Sequence, residues 1–146
     1  MAAVVRRGWV APGPEVTAFE HELAGRLGTE AAAAVSSGTA ALELALRALG
    51  VGPGAEVVIP SYVCDALYHA VSRTGATPVL ADADRATLSL SAADAAARLT
   101  PRTRGIIVPH AFGLAADLRP LLALGVPIVE DCAQTLGARL DGRVVG

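Results

Sequence analysis

The sequence predicts an α/β protein with three α/β/α layers, in which a mainly parallel sheet carries helices on both faces. Three observations predict it. Strand-like and helix-like segments alternate five times between positions 31 and 131. The strand segments are continuous apolar runs, such as Gly105-Ile106-Ile107-Val108, as strands covered on both faces should be. Every polar cluster follows a strand: residues 36–39, residues 61–65, His110 and residues 130–134. Open parallel sheets bind ligands beyond the carboxyl ends of their strands, so these clusters are expected to meet along one edge.

The elements follow in order. Pro14 opens a helix with Val16, Phe19, Leu23 and Leu27 on one face, and Gly28 suits its left-handed stop. Trp9, just before it, reads as a packing anchor, a lid or a partner contact. Residues 31–35 form a short apolar strand, broken by Ser36-Ser37-Gly38-Thr39. The next helix points Leu42, Ala45, Leu46 and Leu49 inward, pairs Glu43 with Arg47 outside, and ends at Gly50. Residues 56–59 are a buried strand closed by Pro60, and a helix with Ala66, Leu67, Ala70 and Val71 runs on to Gly75. Residues 77–80 are strand-like. Ser91 and Asp94 form a capping box for an alanine-rich helix that Thr100-Pro101 terminates. Residues 105–108 are strand again, leading to Pro109-His110-Ala111-Phe112-Gly113. Asp117 caps a helix with Leu118, Leu121 and Leu122, which Gly125 closes. Ile128 and Val129 begin the last sheet strand, and Asp141-Gly142 marks a hairpin. The 146 residues show no internal repeat, linker or low-complexity tract and are read as one domain's worth of chain, or part of a larger one.

Composition narrows the function. A formal net charge of −2 gives no electrostatic footprint for nucleic acid or an anionic membrane. No segment reaches the roughly 20 apolar residues of a membrane span, and Arg6-Arg7 is not followed by the apolar run of a signal peptide. Cys64 and Cys132 have no metal-type spacing; reduced thiols and a cytoplasmic setting are expected. All 12 basic residues are arginine, so the sequence contains no lysine.

Two motifs carry candidate chemistry. In the first, a strand, a Ser/Gly/Thr turn and a helix start bring free N–H groups and the helix dipole together at Gly38 and Thr39. This is either an anion site or a plain serine N-cap. In the second, Glu130 and Asp131 follow the apolar Ile128 and Val129 directly. A carboxylate where an interior strand ends needs a cation or strong donors; Asp131 either caps the next turn, pairs with an arginine, or meets a ligand. A phosphate cradle and an acid on one rim suit pyridoxal phosphate, which needs an anion site and a group that keeps its ring nitrogen protonated. Gln134 stands three residues past Asp131, within reach of the ring's phenolic oxygen. The rival is a nucleotide, but no Gly-x-Gly-x-x-Gly occurs.

Several motifs occur together in order and spacing: Ser36-Ser37-Gly38-Thr39-Ala40-Ala41-Leu42, Gly52-Pro53-Gly54-Ala55-Glu56-Val57, Pro60-Ser61-Tyr62, Gly75-Ala76-Thr77-Pro78, Thr100-Pro101-Arg102-Thr103-Arg104, His110-Ala111-Phe112-Gly113 and Glu130-Asp131-Cys132-Ala133-Gln134. From about Trp9 to Gly146 the sequence resembles the DegT/DnrJ/EryC1/StrS family of pyridoxal-phosphate aminotransferases, which act mostly on keto sugars attached to nucleotides and on cyclitols. The resemblance implies the first part of a fold-type-I large domain over residues 1–146, without the small C-terminal domain. It implies that Gly38 and Thr39 bind the cofactor phosphate, that Asp131 pairs with the pyridine nitrogen and that Gln134 meets the ring hydroxyl. Cys64 stands where the family often places an aromatic residue against the ring, and packs there as a small polarisable group. His110 either supports the cofactor pocket or is a core histidine satisfied by the backbone.

The family's Schiff-base lysine has no counterpart here, and without a primary amine no internal Schiff base forms. The expectation is therefore one subunit of a split aminotransferase. A lysine-bearing partner chain would complete the sheet and share the cofactor in at least a heterotetramer, and nitrogen would pass from an amino donor such as glutamate to a keto sugar or cyclitol. The alternative is a non-catalytic binding or structural subunit, or a truncated relic, that keeps the pocket.

Overall fold

The computed structural model describes residues 6, 8 and 13–146; Trp9 lies outside them. The chain divides into two compact units, Met1–Val35 and Ser36–Gly146. In the first, helix α1 spans Pro14–Leu27 with proline in its first turn, and Gly28 closes it at φ 72°, donating its N–H to the Ala24 carbonyl. Glu22 and Arg26 pair along it at 2.8 Å. Its expected apolar face is only partly covered: Ala24 is buried, Val16, Leu23 and Leu27 are half-buried, and Phe19 is 55% exposed. Residues 31–35 are not the strand that their apolar composition predicts. A strand exists only through a ladder partner, and none is present among the described residues. The Ala34 N–H donates instead to Glu20 Oε1 at 2.8 Å.

The second unit is a parallel sheet between two helical layers. Its elements are α2 (Gly38–Ala48), β1 (Glu56–Pro60), α3 (Ala66–Thr74), β2 (Thr77–Ala81), α4 (Ala92–Arg98), β3 (Thr103–Pro109), α5 (Arg119–Leu122) and β4 (Ile128–Asp131), followed by a hairpin of β5 (Arg139–Leu140) and β6 (Arg143–Val144). The strand order is β2-β1-β3-β4, with every neighbour parallel. Four paired strands, rather than five, make up the alternation.

Side chains alternate across the strands and build two cores. On one face, Val57, Ile59 and Ile107 pack with Leu42 and Leu46 of α2 and with Leu67 and Val71 of α3. On the other, Val58, Ile106 and Val108 pack with Ala95 of α4 and Leu121 of α5. Leu49 and Leu122, expected inside, are 40% and 58% exposed. The helix stops are as the sequence predicts: Gly50 at φ 75° follows α2 and Gly75 at φ 86° follows α3. The hairpin turns through Asp141 at φ 50° and Gly142 at φ 81°, the paired left-handed conformation of a tight two-residue turn.

The two edges of the sheet differ. On outer strand β2, Pro78 lacks an N–H to donate outward, which blunts that edge. The opposite edge, β4, contains no proline. At the base of the sheet, Glu56 is buried and accepts hydrogen bonds from Thr100 Oγ1 and from the Arg102 guanidinium, whose Nε lies 2.9 Å away. The Thr100 hydroxyl first, and then Arg102, hold its carboxyl below its ordinary value of 4.5.

Two predictions follow from these contacts. A side chain at Gly75 would sit 3.0 Å from Pro53 Cγ as well as at positive φ, whereas at Gly50 only the backbone conformation resists it. Gly50→Ala is expected to cost about 1 kcal/mol, and Gly75→Ala distinctly more, by urea denaturation; equal losses would contradict the packing. Because folding lowers the Glu56 pKa, its contribution is complete above pH 4.5 and is lost as pH falls through the lower folded value. Glu56→Gln should therefore be less stable than the parent at pH 7 but lose less on acidification. Parallel pH slopes for the two proteins would show that Glu56 contributes nothing to acid sensitivity.

Candidate active site

The parallel register sets Pro109 opposite Asp131, bringing the carboxyl ends of β3 and β4 side by side. Beyond them, and beyond β1, opens a cavity of about 350 Å³. Its wall includes Tyr62, Cys64, Leu67, Phe112, Asp131 and Gln134. Three sequence-predicted site residues, Cys64, Asp131 and Gln134, thus meet in one place. Gly38 and Thr39 are not part of that wall. They begin α2, whose Leu42 and Leu46 pack on the same sheet face as Val129. Asp131, two residues past Val129, projects to that face by the strand's period of two.

Each polar group has a defined role. Asp131 Oδ1 accepts the Ala133 N–H at 3.0 Å, the turn cap that was one reading of this residue. Its other oxygen has no protein donor among the described residues. Gln134 Oε1 accepts the Phe112 N–H at 2.8 Å. An amide N–H can only donate, so it is the oxygen of Gln134 that faces Phe112, and its NH2 group remains as a donor. Phe112 reaches this position at φ 57°, a left-handed conformation that is rare and strained for a bulky residue. Its ring stands 6.3 Å from that of Tyr62, tilted by 36°. At the start of α2, Ser37 Oγ accepts the Ala40 N–H at 3.2 Å, so the serine N-cap is present. No described residue accepts from the N–H groups of Gly38 or Thr39.

The sequence reading missed how Glu130 is used. Successive strand residues point to opposite faces, so Glu130 turns away from Asp131 and reaches His110 Nε2 at 2.8 Å. The imidazole has no solvent exposure. His110 Nδ1 accepts the Ala116 N–H at 2.9 Å, which requires a lone pair there and places the ring proton on Nε2, donating to Glu130. His110, Glu130 and Cys132 offer potential ligand atoms within 4.8 Å of one another. A metal at Nε2 would require the proton on Nδ1, where it would oppose the Ala116 N–H. Burial, then the charges of Glu130 and Asp131, push the Cys132 thiol up to about 11, further from the thiolate that a metal needs. His110 and Glu130 form a hydrogen-bonded brace beside the Cys132 thiol rather than a metal centre.

The family model for DegT/DnrJ/EryC1/StrS aminotransferases matches residues 1–146. The chain belongs to that family. It is 44% identical over 138 residues to UDP-N-acetyl-3-dehydro-alpha-D-glucosamine 3-aminotransferase of Acidithiobacillus ferrooxidans, covering 92% of this chain and 37% of the relative. It is 44% identical over 142 residues to 3-amino-5-hydroxybenzoate synthase of Amycolatopsis mediterranei, covering 94% and 37%. The chain therefore spans little more than a third of these curated relatives. Among solved structures, S. venezuelae DesV superposes with a TM-score of 0.95 at 44% identity, covering 99% of this chain and 40% of DesV. The PLP form of the sugar aminotransferase Spr1654 from Streptococcus pneumoniae gives 0.93 at 29% identity, covering 99% and 42%. The fold is thus part of a fold-type-I large domain of pyridoxal-phosphate aminotransferases.

The two thiols of this family member should differ in reactivity. Cys64 is exposed and Cys132 half-buried. With the Cys132 pKa near 11, roughly one Cys132 in a thousand is thiolate at pH 8. Iodoacetamide at that pH is expected to alkylate Cys64 well before Cys132 by peptide mass spectrometry. Faster labelling of Cys132 would refute the buried acidic setting.

Proposed function

We propose that these residues form the cofactor-binding part of a pyridoxal-phosphate aminotransferase, with the Schiff-base lysine delivered from outside them by a partner chain. One observation carries the reading. A carboxylate oxygen with no donor among the described residues (Asp131) and an amide NH2 group whose own oxygen accepts from Phe112 (Gln134) share a cavity of about 350 Å³, which is ring-sized. The donor set fits pyridoxal phosphate: an acceptor for a protonated ring nitrogen and a donor for a phenolic oxygen. Gly38 supports an anion site. An added Cβ there would meet nothing within 4 Å, so the backbone at the start of α2 is open to an approaching anion.

When bound, pyridoxal phosphate supplies an electron sink for moving an amino group. The chain's own contribution is electrostatic and positional. Asp131 keeps a proton on the ring nitrogen by holding a negative charge beside it. Gln134 donates to the oxygen at the ring's edge and sets the ring's rotation. The N–H groups of Gly38 and Thr39, at the positive end of the α2 dipole, hold the phosphate. Cys64 packs as a small group where an aromatic ring would fill more space, and Tyr62 and Phe112 supply the aromatic surface of the wall. No lysine is present in the 146 residues to attach the cofactor or carry its proton. A partner chain providing that amine, and extending the sheet past β4, gives the split, hetero-oligomeric arrangement; two free cysteines suit a reducing, cytoplasmic setting. No helix among the described residues is long and apolar enough to cross a membrane.

The amino donor in this reading is an amino acid such as glutamate, and the acceptor a keto sugar or cyclitol. The two curated relatives share the same 44% identity yet carry differently named activities, so overall identity does not single out an acceptor.

Co-expression with a lysine-bearing C-terminal half from the family should yield a complex with the visible absorbance of lysine-bound cofactor. In it, Asp131→Asn should weaken cofactor retention roughly tenfold to a hundredfold, the loss of one charge-assisted hydrogen bond of about 1.5–3 kcal/mol. A colourless complex, or full retention in Asp131→Asn, would overturn the assignment.

A further inference from the structure

The buried brace behind the cavity is larger than a core histidine needs. His110 makes four hydrogen bonds. Its N–H donates to the Asp131 carbonyl at 3.0 Å, and its carbonyl accepts from Thr135 Oγ1 at 3.1 Å. Its ring accepts from the Ala116 N–H at 2.9 Å and donates to Glu130 Oε2 at 2.8 Å. These partners lie on the two segments that carry the site. Glu130 and Thr135 bracket Asp131 and Gln134. Ala116 anchors the stretch that leaves β3 and contains Phe112, whose N–H orients Gln134. Thr135 is itself buried, and no buried side-chain polar atom among the described residues lacks a partner, so the network is closed. A closed buried network holds its members in one geometry, while a half-satisfied one does not.

We propose that His110 is a positioning residue that couples Asp131 to Gln134 from the opposite face of the sheet. Its Nε2–H tautomer fixes the β4 tip through Glu130, and its Nδ1 lone pair fixes residues 111–116 through Ala116. The Asp131 and Gln134 side chains, which bond Ala133 and Phe112 and not the imidazole, then keep their spacing through the backbone that the histidine holds. The inference rests on the cofactor reading only for its consequence; the brace itself is a property of the chain.

The ring tautomer and the variants test it separately. The protein is used as isolated, with any partner that accompanies it, and pyridoxal phosphate is the probe. Nitrogen NMR of the wild-type histidines should show His110 protonated at Nε2 and not at Nδ1; the reverse tautomer would overturn the proposal without any mutation. His110→Phe keeps ring volume but removes both ring hydrogen bonds. It should retain the far-ultraviolet circular dichroism of the fold, lose the single sharp pair of Gln134 side-chain amide signals, and bind pyridoxal phosphate roughly tenfold to a hundredfold more weakly. His110→Gln, which can still donate to Glu130, should recover much of that affinity. If His110→Phe does not fold, Glu130→Ala must reproduce the Gln134 change. Unchanged Gln134 signals in a folded variant refute the coupling. If wild-type protein binds no pyridoxal phosphate while the Gln134 signals still respond to the variants, the cofactor reading fails and the coupling stands.

Discussion

The site depends on the pairing of β3 with β4. Parallel register puts Pro109 across from Asp131, and one residue later the His110 N–H closes on the Asp131 carbonyl. This pairing delivers two loop segments to the same point with the precision of a sheet rather than of a loop. It also decides which acid does what. A strand's period of two sends neighbouring side chains to opposite faces, so adjacent carboxylates cannot share a role. Glu130 goes behind the sheet to a buried imidazole, and Asp131 goes forward into the cavity. The desolvation cost of an acid at a strand end is offset at 130 by the His110 Nε2–H and the Gly146 N–H, the latter at 3.1 Å. At 131 only one oxygen is engaged among the described residues. That asymmetry separates a structural acid from one available to a ligand.

Much of this architecture was legible in the sequence because its determinants are local. Gly28, Gly50 and Gly75 mark left-handed stops wherever they fall, and Asp141-Gly142 specifies its turn with little help from the rest of the chain. Apolar periodicity placed Leu42, Leu46, Leu67 and Val71 in one core. What escaped was non-local. Residues 31–35 have strand composition, but composition does not supply a ladder. The Ser91–Asp94 capping box is half right: Ser91 Oγ accepts the Asp94 N–H at 3.3 Å, while the Asp94 carboxylate accepts from the Asp82 N–H at 2.7 Å. A tertiary partner took over a side chain that local rules assign to its own helix. Phe112 is the sharpest case. No propensity places a bulky residue at positive φ, and the conformation is held by a hydrogen bond to a glutamine 22 positions away in sequence.

The candidate site shows the same division. Asp131 and Gln134 could be named because they follow a strand, and Cys64 because of the family resemblance; the cavity brings the three together. The pairing of Glu130 with His110 could have been found from the strand period alone: if Asp131 faces a ligand, Glu130 must face inward, and an inward acid needs a donor. His110, one position past the β3 partner of Asp131, is the polar side chain the register offers. The two readings of this histidine, pocket support or satisfied core residue, turn out not to compete. The proton position that satisfies it in the core is also the one that allows it to hold the site.

This arrangement bears on how the family varies its chemistry. Under the proposed reading, the cavity groups meet a ring and its oxygen, features of a cofactor that stay constant while acceptors differ. A cradle whose geometry is set by sheet register and a closed hydrogen-bond brace tolerates substitution elsewhere, because no acceptor contact is needed to keep Asp131 and Gln134 in place. Under the proposed reading, discrimination between acceptors falls to groups that approach the cavity from its open side. The β4 edge contains no proline, and Asp131 at its end lines the cavity, so in the proposed split arrangement a partner segment extending the sheet there would stand beside the cavity.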